Sequence, residues 1–192
     1  MLMFLFQPHL QAKDFLAKKI AKLGRPAPDF ELQDLGGNKI KLSANKGKVV
    51  MIHFWSATCP FVKRYEERLQ NITQDYRSKG VVVIAIDSNI NETPDQIKKV
   101  AVERGLSYAL ILDPDHKTAD DYGAITTPHV FIINKEGNLA YEGSVDDQGW
   151  SAKNPVKANY AREALDAVLA GKPVPHPQVK TFGCTIKRSK NK

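Results

Sequence analysis

At 192 residues, with 42% hydrophobic and 26% charged side chains, the chain has the size of one globular domain and enough apolar residues for a real core. Its net charge of +7 lies at the ends: residues 1–25 carry +4 and residues 178–192 carry +5, so the middle is slightly acidic. A basic patch on the folded body, the usual footprint of a nucleic-acid module, is therefore not expected, and the charged ends read as solvated tails. Two cysteines are too few for a disulfide-stapled secreted scaffold. They suffice for one redox couple or for two unrelated thiols.

In chain order, the opening run MLMFLF is six residues long with no basic segment before it, too short for a membrane span or a standard signal peptide. The chain thus reads as cytoplasmic, with an exported form left open. Leu16, Ile20 and Leu23 recur at helical spacing and predict a short amphipathic helix over 10–23. RPAPDF breaks it, and DFELQDLGGNKIKLS reads as two short strands about Gly36-Gly37-Asn38. GKVVMIHFW predicts a buried strand over 48–55. A helix follows over 60–78, with Pro60 at its first position and Phe61, Val62, Tyr65, Leu69, Ile72 and Tyr76 on one face.

VVVIAID (81–87) is a second buried strand, and Pro94 to Arg104 a second helix capped by Thr93 and stopped by Gly105. YALILD (108–113) predicts a third strand, followed by a helical turn around Thr118–Tyr122. HVFIIN (129–134), the turn KEGN and LAYEG read as a hairpin. Asn154 is the expected cap of a last helix from Pro155 to Ala170, stopped by Gly171 and followed by a proline-rich, basic tail. This order predicts an α/β fold with parallel and antiparallel strands in one sheet and helices on its faces.

The chemistry centres on HFWSATCPFVK, residues 53–63. A strand runs straight into Cys59 and Pro60 opens a helix behind it. Cys59 therefore falls at the N-cap or first turn, where free N–H groups and the helix dipole favour a thiolate. A buried, inert cysteine is the competing reading. Thr127-Pro128, just before HVFIIN, is compatible with a tight bend and a cis bond, a weak signal by itself.

From about Pro26 to Lys187 the chain resembles the thioredoxin-fold redoxins, which include the peroxiredoxins and thiol–disulfide reductases. PAPDFELQDLGGNKIKLSANKGKVVMIHFWSATC, VVVIAID and YGAITTPHVFIINKEGNLAYEG carry the resemblance. CPFVKRYEERL, ALDAVLAGKPVP and FGCTIK are similar to a narrower, peroxiredoxin-like group of the alkyl hydroperoxide reductase/thiol-specific antioxidant superfamily. In that group a lone Cys-Pro is combined with a second cysteine near the C-terminus. The resemblance implies a thioredoxin-like domain over 26–171, an N-terminal extension over 1–25 and a tail over 172–192 carrying Cys184. It also implies a redox-active Cys59 beside a cis-proline loop at Thr127-Pro128, whose backbone meets an incoming substrate chain. Two departures stand out: Val62 occupies the second position of a CxxC pair, and Ile52 replaces a proline that peroxiredoxins place seven residues before their peroxide-reacting cysteine. Ser56 keeps the hydroxyl expected three residues before it.

His53 lies where thioredoxins carry a buried proton-handling Asp; acid–base work and a hydrogen-bonded core histidine are its two readings. His129 is within one residue of the expected bend and is a further candidate neighbour of Cys59. Lys63 and Arg64 would favour a thiolate unless they are ordinary surface cations. Cys184 follows Gly171 by 13 residues, an extended reach of about 43–47 Å. A Cys59–Cys184 couple, within one chain or across a homodimer, is thus sterically accessible, with Phe182-Gly183 as ring anchor and bend. The expected partners are a peroxide or disulfide and an external thiol reductant of thioredoxin type, with no cofactor, resident metal, nucleic acid or membrane. The alternatives from other classes are a non-catalytic peptide-binding module and a metallochaperone.

Overall fold

In the computed structural model, residues 21–188 are described. The strands are β1 (Glu31–Asp34), β2 (Lys39–Lys41), β3 (Val50–Trp55), β4 (Val82–Asp87), β5 (Ala109–Leu112), β6 (Thr126–Thr127), β7 (His129–Ile133), β8 (Leu139–Gly143) and β9 (Cys184–Thr185). The helices are α1 (Pro60–Arg77), α2 (Pro94–Glu103), α3 (Lys117–Tyr122) and α4 (Tyr160–Leu169). Seven strands form one mixed sheet in the order β2-β1-β5-β4-β3-β7-β8; β6 and β9 form a separate two-stranded ribbon. The central strands β3, β4 and β5 are parallel, while β7 and β8 add antiparallel. Parallel strands covered on both faces must be apolar throughout, and every residue of β3 is buried.

Alternation along β3 divides the core in two. Met51 and Trp55 join Tyr65, Leu69, Ile72 and Tyr76 of α1 and Ala161, Ala164 and Leu165 of α4. Val50, Ile52 and Phe54 face the other way, onto Ala119 and Tyr122 of α3 and onto Phe30. The apolar stripe of α1 thus lies on the central strand, and this packing fixes where its N-terminus sits.

Helix α2 starts on a reciprocal cap: Gln96 N donates to Thr93 Oγ1 at 3.3 Å and Gln96 Oε1 accepts from Thr93 N at 3.0 Å. The last helix departs from expectation. Asn154 does not cap it, and residues 155–159 are not helical; α4 begins at Tyr160. The side chain of Asn154 donates to Gln148 O at 3.0 Å, and Lys157 N donates to Asp147 Oδ1 at 2.9 Å. Lys157 N, the amide that an Asn154 cap would receive, is thereby taken by the preceding loop. The expected helix over 10–23 lies largely outside the described residues, and Leu23 and Gly24 form a turn. Among the described residues no helix is long and apolar enough to cross a membrane.

Leu69 is fully buried in the α1 interface, so Leu69→Ala should lower the unfolding free energy by about 2–5 kcal/mol. Thr93→Ala, which removes only a cap, should cost about 0.5–2 kcal/mol. Urea denaturation of the two variants checks both the order and the sizes.

Candidate active site

Cys59 is the N-cap residue of α1 with extended backbone, and Pro60 opens the helix. The site is built where this strand-to-helix junction meets the loop before β7. There the Thr127–Pro128 peptide is cis, and Cys59 Sγ lies 3.2 Å from Thr127 O. Cys59 is only 3% exposed.

The C-terminal segment is folded back over this junction. It runs first along β8, where Glu142 N donates to Pro177 O at 2.9 Å and Val179 N to Glu142 O at 3.1 Å. Gly143 makes this approach passable, because a Cβ there would lie 2.8 Å from the Val179 carbonyl oxygen. Phe182 then packs edge-on against Trp150, ring centres 5.9 Å apart. Strand β9 pairs antiparallel with β6, Cys184 opposite Thr127 and Thr185 opposite Thr126. The backbone contact at Gly183 is so close that any Cβ would drive into the Thr127 carbonyl. Beyond β9, Ile186 is buried, Ile186 N donates to Ile125 O at 3.1 Å, and Ile90 N donates to Lys187 O at 3.0 Å.

The result is a close pair of sulfurs. Cys184 Sγ lies 2.7 Å from Cys59 Sγ across 125 residues of chain. Burial, followed by the hydrogen bond to Cys59 and its charge, pushes the Cys184 thiol up to about 11. Cys184 is therefore held as the thiol near neutral pH. An open cleft of about 380 Å³ leads to the pair, lined by Ser56, Thr58, Asn89, Asn91, Thr185 and Lys187.

Below Cys59 the junction is anchored by a residue that the sequence did not single out, Glu92. Its carboxylate accepts from Ser56 Oγ at 2.6 Å, Ala57 N at 2.7 Å and Thr58 N at 2.9 Å, and also from the Thr58 hydroxyl. Ser56 thus directs its hydroxyl to Glu92. On the other side of this segment, the Arg104 guanidinium donates to Ala57 O at 2.7 Å. The only sequence trace of Glu92 is an acid just before a helix cap, too common a pattern to mark a site.

The structure therefore brings Cys59, Pro60, Ser56, Thr127, Pro128 and Cys184 together. It does not join the histidines to them. His53 is fully buried, its ring edge-on to Tyr108 at 4.8 Å, with neither nitrogen hydrogen-bonded. Burial holds it down at about 3, so it is a neutral ring; it is neither the hydrogen-bonded core histidine nor an acid–base group linked to Cys59. The alternation of β7 puts His129 with Phe131, ring centres 4.4 Å apart, and burial holds it at about 4. No hydrogen bond connects it with Cys59. Lys63 is exposed, while Arg64 donates to Gly149 O at 2.6 Å and Trp150 O at 3.0 Å, pinning the loop under Phe182. Among the described residues no group of three or more His, Cys, Asp or Glu gathers as a metal site.

Comparison with known proteins agrees with this architecture. Residues 23–142 match the AhpC/TSA family. The chain is 31% identical over 125 residues to the thiol-disulfide oxidoreductase ResA of Bacillus subtilis (strain 168), covering 65% of this chain and 69% of that protein. A hypothetical protein of Sinorhizobium meliloti 1021 superimposes with a TM-score of 0.82 at 34% identity, over 88% of this chain and 96% of the other. The thioredoxin domain of a Bacteroides vulgatus thiol-disulfide oxidoreductase shares the fold, with a TM-score of 0.58 at 23% identity over 63% of this chain and 87% of that one. With Cys59 at the junction of a central parallel strand and its helix, beside a cis-proline, the chain belongs to the AhpC/TSA family and is an oxidoreductase on the thioredoxin-like fold.

Proposed function

We propose that the protein is a thiol-disulfide oxidoreductase that works through one intramolecular couple, Cys59 as the attacking thiol and Cys184 as the resolving thiol. The observation that carries this reading is the 2.7 Å approach of the two sulfurs, held by the pairing of β9 with β6. With a disulfide RSSR, the Cys59 thiolate attacks one sulfur, forms a mixed disulfide and releases RS⁻. Cys184 then attacks Cys59 Sγ, releases the second thiolate and leaves a Cys59–Cys184 disulfide. With a peroxide ROOH, Cys59 becomes a sulfenic acid as ROH leaves, and Cys184 displaces water to give the same disulfide. In either case two electrons pass to the oxidant, and an external dithiol of thioredoxin type restores both thiols.

Geometry favours small oxidants at rest. β9 covers the backbone edge of the cis-proline loop, where an incoming polypeptide would otherwise pair. The open cleft lined by Ser56, Thr58, Asn89 and Asn91 remains as an entry. Ser56 gives its hydroxyl to Glu92, so it supports the loop and is not directed at an oxidant bound on the sulfur.

One equivalent of hydrogen peroxide or of a small aromatic disulfide should convert the reduced protein to an internal Cys59–Cys184 crosslink, read by mass spectrometry of peptides. Cys59→Ser should abolish turnover. Cys184→Ser should stop at a sulfenic acid or a mixed disulfide. A crosslink-free wild type, or a Cys59→Ser variant with unchanged turnover, overturns the reading.

Gly183→Val should separate the tail from the cis-proline loop at the pairing of β9 with β6. It should slow crosslink formation by about tenfold or more, because a misplaced reacting group forfeits its effective concentration. Its thermal melting temperature should fall by no more than a few degrees, the share that the buried Ile186 contributes.

Alkylation of Cys184 in the reduced wild type should be slow at pH 7 and rise about tenfold per pH unit toward about 11, since only the thiolate reacts. Quantifying labelled Cys184 peptide against pH checks this directly.

A further inference from the structure

Asp87 closes β4, and Glu92 lies five residues further on, just before the α2 cap. Both are buried, 3% and 7% exposed, and among the described residues no salt bridge reaches either. Both meet the same stretch of chain: Asp87 lies opposite Trp55 in the β3–β4 register, and Glu92 accepts from Ser56, the next residue. Two buried carboxylates so placed, without a cation, cannot both carry charge at neutral pH. The donors decide which one does. Glu92 receives four, from Ser56 Oγ, Ala57 N, Thr58 N and Thr58 Oγ1, and is the anion. Asp87 receives donors only on Oδ1, from Asn89 N at 2.8 Å and Asn89 Nδ2 at 3.3 Å. Its Oδ2 is buried with no donor aimed at it, a costly state for a carboxylate oxygen and a natural one for an O–H directed at Glu92.

We propose that Asp87 and Glu92 share one proton as a buried carboxylic acid–carboxylate pair, and that the pair positions Cys59 by holding the Ser56–Thr58 segment immediately before it. The inference rests on Cys59 as the reacting thiol; the sharing of the proton does not. Asp87 and Glu92 are positioning residues, because neither touches a sulfur through a hydrogen bond.

Among the described residues, no neighbouring titratable or charged side chain makes a hydrogen bond or salt bridge to the carboxyl of Asp87 or Glu92. From the β5 side, Asp113 is buried and accepts from Ser88 Oγ at 2.7 Å and from Thr118 N and Ala119 N at 3.1 and 2.9 Å; His116 Nδ1 is 2.7 Å from Ser88 O. From α2, Arg104 is bonded to Ala57 O and paired with Glu66 at 3.5 Å. From the tail come Cys184 and the exposed Lys187, whose backbone N donates to Asn89 Oδ1 at 2.9 Å. Cys59 itself lies above the segment that Glu92 holds.

Burial, then the hydrogen bond and charge of Glu92, raise Asp87 to about 8. For Glu92 burial acts upward, but the bonds from Asp87, Ser56 and Thr58 outweigh it and hold the group below the ordinary carboxylate range. The folded state thus prefers Asp87 protonated. The pair is intact below about pH 8 and gains a second, repelling charge above it, so its support of the loop is lost as pH rises through that value.

Infrared difference spectroscopy of the reduced protein from pH 6 to 10 tests the shared proton. A protonated-carboxyl band should be present at pH 7 and vanish with a midpoint near 8. Asp87→Asn should remove that band. Glu92→Gln should shift its midpoint to lower pH by removing the neighbouring charge, a response that a band from Asp113 would not give. In a Cys184→Ser background, the ratio of Cys59 alkylation rates without and with Asp87→Asn, from which the thiol's own ionisation largely cancels, should change with a midpoint near pH 8. That variant should stay within about threefold of its parent at pH 7, since its amide still donates to Glu92, whereas Asp87→Leu should alkylate at a rate about tenfold or more different. Absence of the band at pH 7, or its survival in Asp87→Asn, overturns the shared proton. A ratio that stays constant across pH 8 overturns its coupling to Cys59. Turnover of Cys59→Ser, measured separately, tests the Cys59 assignment by itself, and the infrared titration of the wild type stands whatever that result and even if a variant does not fold.

Discussion

Two residues of backbone pairing, Cys184–Thr185 against Thr126–Thr127, carry the geometry on which the approach of Cys184 to Cys59 depends. Such a short ribbon could not hold itself together, so its stability comes from what flanks it. Phe182 is held on Trp150 on one side, and Ile186 is buried in the core on the other. Gly183 lets the two backbones meet at all. The cis-proline loop itself is fixed by continuing directly into β7, a strand of the main sheet.

The site has a polar floor as well as this lid. Cys59 follows three residues whose amides and hydroxyls converge on Glu92, while Arg104 fixes the Ala57 carbonyl from the opposite side. A strand-to-helix junction leaves several backbone N–H groups without partners, and here a buried carboxylate satisfies two of them. The same carboxylate thus ties down the two residues just before the Cys59 cap of α1. The Glu92 carboxylate lies below the segment before Cys59, and the sulfur faces Thr127 O and Cys184.

Much of the fold was legible in the residues because it rests on local periodicity. The continuous apolar runs of β3 and β4, the stripe on α1 and the Thr93 cap each reflect a rule of one element. Asn154 misled for the same reason: a good capping residue was already bonded to Gln148, a contact that only the folded loop creates. His53 and His129 were plausible beside Cys59 by chain position alone. Strand alternation and burial decided otherwise, giving one ring to Tyr108 and the other to Phe131. β6 and β9 are two residues each, too short to carry a periodic signal.

By itself, the amino-acid sequence determined the strand–Cys-Pro–helix junction, because apolar period and proline position are properties of neighbouring residues. It also determined that Val62 leaves no partner thiol three residues from Cys59, which made Cys184 the remaining candidate within the chain. Only the tertiary structure decided that the tail runs along β8, pairs at Thr127 and brings Cys184 Sγ to Cys59 Sγ. Only it disclosed Glu92 beneath them. Reach along a chain sets an upper bound on distance, whereas an actual approach depends on buried surface and hydrogen bonds supplied by residues remote in sequence.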